Sequence, residues 1–408
     1  MPDFGEMPNL EELNLKDCIK LVQIDPSIGV LRKLVFLKLK DCKNLVSIPN
    51  NILGLSSLKY LNFSGCSKVF NNPRHLKKLD SLYHEVLTSC LLPSLLSIYC
   101  LNEVDISFCG LSYLPDAIGC LLRLERLNIG GNNFVTLPSL RELSKLVYLN
   151  LEHCKLLESF PQLPFPTVFE HMTTYKRTVG LVIFNCPKLG ESEHCNSMAF
   201  SWMTQLIQAR QQPSTFSYED IIKIVVPGSE IPIWFNNQSE GSSIRMELSQ
   251  IMDDNDNDFI GIACCAVFSV APVDPTTTTY AWRPKIEIRF SNSNSHLFSF
   301  VIIPVILDRD HIVVKSNHMC LMYFPLKSLF DILKWIDGTL THLDDINMKA
   351  SIMKGQGLDL EVQNCGYRWV YKQDLQPSNL TMMHLGNRLA RKRKFLAIVD
   401  EAQTQSLI

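Results

Sequence analysis

A nine-residue phrase, Leu-x-x-Leu-x-Leu-x-x-Cys, recurs through the first 160 residues and limits the possible folds more than any other feature. Copies start at Leu10, Leu34, Leu58, Leu101, Leu124 and Leu146; Cys18, Cys42, Cys66, Cys109 and Cys154 close five of them, and Asn132 closes the other. Adjacent copies are 22 to 24 residues apart. A unit that short cannot bury its apolar residues alone and does so by stacking, one short strand and one return segment per coil. The pattern specifies an α/β leucine-rich-repeat solenoid, a fold that offers an extended surface for binding.

The repeated Cys position turns inward after each strand, where a small polar side chain satisfies backbone groups of the neighbouring coil. Five of the 14 cysteines stand at this position, and a ladder of equivalent thiols has no natural pairing, so they read as buried free thiols in a reducing compartment. No Cys-x-x-Cys or other zinc spacing occurs, and no cofactor is expected. The net charge of −2 gives no field that favours nucleic acid or an anionic membrane. The first residues carry no secretory signal. The longest uncharged apolar run, Phe259 to Val273, is too short to span a bilayer. The expected location is cytoplasmic, and the run Arg391-Lys392-Arg393-Lys394 permits nuclear entry.

Four segments are expected. Residues 1–192 form the solenoid, in which 71–100 is either a degenerate coil or an inserted loop, and a terminal coil around Leu181–Leu189 closes the stack. Residues 193–213 form a connecting helix, with Met198, Trp202, Leu206 and Ile207 at helical spacing. Residues 214–376 hold eight or nine β-runs bounded by Gly, Pro, Asn, Asp or Ser, which argues an all-β sandwich or jelly roll. Residues 377–408 have no strand pattern and are expected to be a mobile basic tail. Leu10 belongs to a working coil with only nine residues before it and no polar cap, so the chain is expected to be the sensing end of a longer protein.

Three strings beyond the repeats carry a resemblance: Val226-Pro227-Gly228-Ser229-Glu230-Ile231-Pro232-Ile233-Trp234-Phe235, Asp258 to Phe268, and Glu361 to Tyr371. In that order they resemble the jelly-roll/immunoglobulin-like domain that follows the repeats in plant TIR–nucleotide-binding–leucine-rich-repeat disease-resistance receptors. The resemblance runs from residue 1 to about 375; one departure is Ile233, where the family more often has an acidic residue. It implies a sensor that binds a pathogen effector protein and works with an upstream nucleotide-binding domain. No Gly-x-x-x-x-Gly-Lys-Ser/Thr occurs in this chain, so the nucleotide switch is not among its residues, and no enzymatic activity is expected of it.

Residues flanking the two inward apolar positions of each strand point out of the stack. The candidate protein-binding column is Glu12, Phe36, Lys38, Tyr60, Asn62, Glu103, Asp105, Arg126, Tyr148 and Asn150, with Glu230 and Trp234 on the second domain. It mixes aromatics with both signs of charge, as protein interfaces do. Against this stand two plainer readings: solvated filler on the strands, and Trp234 as a core anchor of its loop. The acidic run Asp253 to Asp258 lacks the Gly and Glu of a calcium loop and reads as a turn. A carbohydrate-binding or carbohydrate-cleaving jelly roll with a repeat appendage is the alternative function.

Overall fold

The second and fourth positions counted from the start of each strand are apolar because they face the interior of the stack. In the computed structural model, which describes residues 3–70, 91–166, 179–189, 193–209, 221–246, 258–272, 285–291, 297–304, 316–329, 347–353 and 358–376, Leu37, Leu39, Leu127, Ile129, Leu149 and Leu151 are fully buried. Residues 71–90, where a degenerate coil or an inserted loop was expected over 71–100, lie outside the described residues, as do the acidic run before Asp258 and the basic tail. The chain divides into two compact units, the first holding residues up to Cys195 and Ile224–Pro227, the second Asn196–Thr204 and the residues described from Gly228 onward. Residues of the helix Glu193–Ala209 are divided between them.

The first unit is a ladder of parallel three- and four-residue strands: β1 (Glu12–Asn14), β2 (Phe36–Lys38), β3 (Tyr60–Asn62), β4 (Glu103–Asp105), β5 (Arg126–Asn128), β6 (Tyr148–Asn150) and β7 (Val179–Val182). The register is strict: Leu13, Leu37, Leu61, Val104, Leu127, Leu149 and Leu181 stand side by side. β4 pairs directly with β3 across the long interval between them in the chain. The return sides are tight 3₁₀ turns at Pro26–Val30, Asn50–Gly54 and Asp116–Cys120, each burying one Ile. Ile183 N donates to Val225 O at 2.7 Å, extending the backbone pairing past β7.

The thiol position explains itself in hydrogen bonds. Cys42 Sγ donates to Leu15 O at 3.1 Å, Cys66 Sγ to Leu39 O at 3.0 Å, Cys109 Sγ to Phe63 O at 3.1 Å and Cys186 Sγ to Leu151 O at 3.1 Å. The same carbonyls accept the amide of their own coil's Cys. Each thiol thus ties its coil to the preceding one. Asn132 does the work from the same position with both ends of its amide: Nδ2 donates to Ile106 O and Ile129 O, and Oδ1 accepts from Cys109 N and Leu111 N. Burial pushes the thiols of Cys66 and Cys154 up to about 12, and the described cysteines are free.

The residue before the thiol position has no apolar signature in the repeat, yet the structure assigns it one conformation. Asp17, Asp41, Phe108, His153 and Asn185 all adopt φ between 54° and 59°, with Gly65 and Gly131 at 76° and 66°. The chain must reverse there to drop into the return turn, and this left-handed conformation strains a bulky Phe. Gly131 has a second reason: a Cβ would lie 2.2 Å from the Phe108 ring.

The second unit is antiparallel. One sheet orders β14 (Ser316–Pro325), β11 (Phe259–Pro272), β16 (Leu358–Tyr371) and β9 (Asn237–Glu240); the other orders β10 (Ser243–Arg245), β15 (Asn347–Met353), β12 (Lys285–Ser291) and β13 (Leu297–Pro304). β8 (Ile222–Pro227) precedes them in the chain. Ile262 to Phe268 is buried along its whole length, as an apolar run on both faces requires of a central strand. Ile244 of β10 and Val362 of β16 pack on buried Ala266 and Cys365, joining the two sheets.

Two sequence readings need correction here. Leu358–Val362 and Tyr367–Tyr371 are one strand, not two, because the polar residues between them cross a bulge where the register shifts opposite Val267 and Phe268. β9 went unread because Asn-Gln-Ser-Glu has no apolar alternation.

Candidate functional site

Because positions two and four of each strand point inward, positions one, three and five make the opposite face. Position three is Asn14, Lys38, Asn62, Asp105, Asn128 and Asn150 from β1 to β6. Five of these six side chains turn back onto their own backbone. Asn14 Oδ1 accepts from Lys16 N at 3.2 Å, Asn62 Oδ1 from Ser64 N at 2.9 Å, Asp105 Oδ1 from Ser107 N at 3.1 Å, Asn128 Oδ1 from Gly130 N at 3.3 Å and Asn150 Oδ1 from Glu152 N at 2.8 Å. This is the local turn that Asn and Asp form with the amide two residues on, and it ends each strand.

Asn62, Asp105 and Asn150 were expected as partner contacts, and their oxygens are committed to these turns. Asn62 Nδ2 also donates to Asp105 Oδ2 at 3.1 Å, and Ser64 Oγ and Ser107 Oγ lie 2.9 Å apart. Asn62 and Asn150 are 5% and 4% exposed, so their part in the chain is structural.

Position one divides along the ladder. In β4 and β5, Glu103 and Arg126 are 7% and 4% exposed; Arg126 Nε lies 3.4 Å from Glu103 Oε2, and the guanidinium sits 4.1 Å from the centroid of the half-buried Tyr148 ring. These were expected to point at a partner and instead hold one another. Neighbouring coils are about 4.8 Å apart, so opposite charges in register meet directly.

At the other end the face is open. Glu12 is exposed, and Phe36, Lys38 and Tyr60 are half-buried. Lys38 Nζ lies 2.6 Å from Glu12 Oε1, and 5.6 and 6.0 Å from the ring centroids of Phe36 and Tyr60, which are 6.0 Å from each other. Burial pushes the Tyr60 phenol up to about 12, so it is a neutral hydrogen-bonding group at physiological pH.

On the second unit Glu230 is exposed on the loop after β8, while Trp234 is 2% exposed and lies in the core. The indole meets Phe200 and Phe235 edge-on at centroid distances of 4.9 and 5.1 Å. Arg368 covers its ring at 5.1 Å, donates from Nη1 to Trp234 O at 2.9 Å, and pairs through Nη2 with Asp374 Oδ1 at 2.5 Å. Trp234 is therefore the anchor of its loop and offers no surface to a partner; its large ring gains more from burial than from exposure. The Arg368 clamp was not legible, because Trp234 lies 134 residues from Arg368 in the chain. Among the described residues no three metal-ligating side chains converge.

The first unit is thus a parallel repeat ladder and the second a pair of antiparallel sheets. A C-JID domain matches residues 226–376. The disease resistance-like protein DSC1 of Arabidopsis thaliana is 26% identical over 54% of this chain and 20% of its own length. The TMV resistance protein N of Nicotiana glutinosa is 28% identical over 44% of this chain and 17% of its own length. A leucine-rich-repeat protein of Leptospira interrogans of solved structure matches 47% of this chain and 55% of its own, at 19% identity and a TM-score of 0.26. The chain thus spans about a fifth of the curated relatives it matches. The repeats, the C-JID match and these relatives make the chain similar to the C-terminal part of plant TIR–nucleotide-binding–leucine-rich-repeat disease-resistance receptors.

Proposed function

We propose that this chain is the non-enzymatic sensing portion of an intracellular plant immune receptor. It binds a pathogen effector protein through the open strand face of its first three coils and through the loops of its C-JID domain, Glu230 among them. An upstream nucleotide-binding domain of a full-length receptor reads out that binding. The observation that carries the reading is the Glu12–Phe36–Lys38–Tyr60 cluster, where two aromatic rings and an ion pair remain accessible while Glu103, Arg126 and Asn150 at equivalent positions of later coils are buried. Aromatic residues with adjacent charge are what protein hot spots use.

The two antiparallel sheets of the second unit, with Ile244 and Val362 between them, support reading it as a jelly-roll/Ig-like sandwich. A cytoplasmic or nuclear location fits this role, and among the described residues no helix is long and apolar enough to cross a membrane.

The test is binding of the purified chain to a panel of pathogen effector proteins by calorimetry. The triple variant Phe36→Ala, Lys38→Ala, Tyr60→Ala is expected to lose at least about tenfold in affinity for any effector that binds, with an unchanged melting profile. Unaltered affinity in that variant would remove the strand face from the binding site.

A further inference from the structure

Lys38 breaks a rule that its neighbours obey. From β1 to β6, position three is Asn or Asp in every strand but β2, and every such side chain is spent on its own turn. The exception places an ammonium on the outward face, where it extends to Glu12 on the adjacent coil, above two aromatic rings. Two further cations flank it at position five: Lys16, exposed and 3.6 Å from Asp17, and Lys40, half-buried with no ion-pair partner among the described residues. Leu15 N donates to Lys38 O and Asp17 N to Lys40 O, so the three lysines sit on directly paired backbone.

Deepening the effector-binding reading, on which it rests, we propose that Lys16, Lys38 and Lys40 receive a carboxylate-rich segment of the partner protein, laid over the Phe36–Tyr60 rings. An incoming carboxylate takes the Lys38 ammonium from Glu12, and the rings favour the cation from the other side. Because Lys40 pairs with no carboxylate among the described residues, the patch accepts an added anion without first breaking an ion pair there. Lys38 and Lys40 flank Leu39, which is fully buried together with Leu37, so the backbone that carries these two charges is fixed in place.

The probe is a short peptide of alternating Glu and Asp, titrated into the full chain at low and physiological salt, with its Gln/Asn counterpart as the neutral control. The acidic peptide is expected to bind, to weaken as salt rises, and to weaken about five- to tenfold in Lys38→Gln/Lys40→Gln, since each accessible ion pair is worth little alone. Glu12→Gln is expected to bind the acidic peptide more tightly, because it removes the internal competitor. The assignment is overturned if neither peptide binds, if the neutral peptide binds equally, or if Lys38→Gln/Lys40→Gln matches the parent, as it would were the Arg391–Lys394 run the receptor. An effector panel that fails while the acidic peptide still binds in this way would sink the effector reading and leave the site standing.

Discussion

The strand faces of β1–β2 and of β4–β5 are built from the same repeat positions and come to opposite ends. In β4 and β5 the first-position charges, Glu103 and Arg126, are in register and opposite in sign, so they pair and disappear beneath Tyr148. In β1 and β2 the charges, Glu12 and Lys38, are offset by one position pair, and their ion pair stays at the surface with side chains 46% and 33% exposed. A solenoid face is therefore not uniformly a binding surface. Register decides which charges are consumed by the coil next door and which are left for another molecule.

That contrast is easiest to break at its buried side. Arg126→Ala is expected to destabilise the chain by about 3–5 kcal/mol, because Glu103 would be left without its buried counter-charge. Adding Glu103→Gln should recover most of the loss, and thermal denaturation of the two variants checks both. A loss below about 1 kcal/mol for Arg126→Ala would mean the pair is as weak as a surface one.

Next in size is Asn132→Ala, expected to cost about 2–3 kcal/mol, since the buried amides of Cys109 and Leu111 lose their acceptor. Hydrogen exchange at those two amides should rise before that of Leu149. Gly131→Ala follows at about 1–3 kcal/mol from the left-handed backbone and the Phe108 ring. Shortening that ring with Phe108→Ala in the same chain should return part of it, and denaturant midpoints would reveal whether it does. Smallest of all, Lys38→Gln is expected to shift stability by less than about 1 kcal/mol while altering binding. A melting loss comparable to that of Arg126→Ala would erase the distinction between the two faces.

Much of this was legible in advance. The coils, their core leucines and the role of the Cys position follow from spacing, because a repeat constrains each copy to do the same job. The segment from Pro227 to Phe235 identified the second domain, and the run Ile262 to Phe268 its central strand. The candidate contacts were less legible. Alternation shows that Glu103, Arg126, Asn62 and Asn150 point out of the stack, but carries no information on what waits in the next coil. Burial of Trp234 or Phe235 as the anchor of their loop was the favoured of two readings on residue type alone, and Phe200 and Arg368 packed around Trp234 bear it out.

The sequence by itself determined the ladder: the period, the inward leucines and the thiol column, all local consequences of a chain that must stack to hide its apolar residues. Tertiary structure decided the rest. Which outward side chains pair and which remain open depends on the register between coils, and the left-handed column before each thiol depends on how the chain must reverse to close the coil. Those are relations between residues distant in the chain, and a one-dimensional pattern does not contain them.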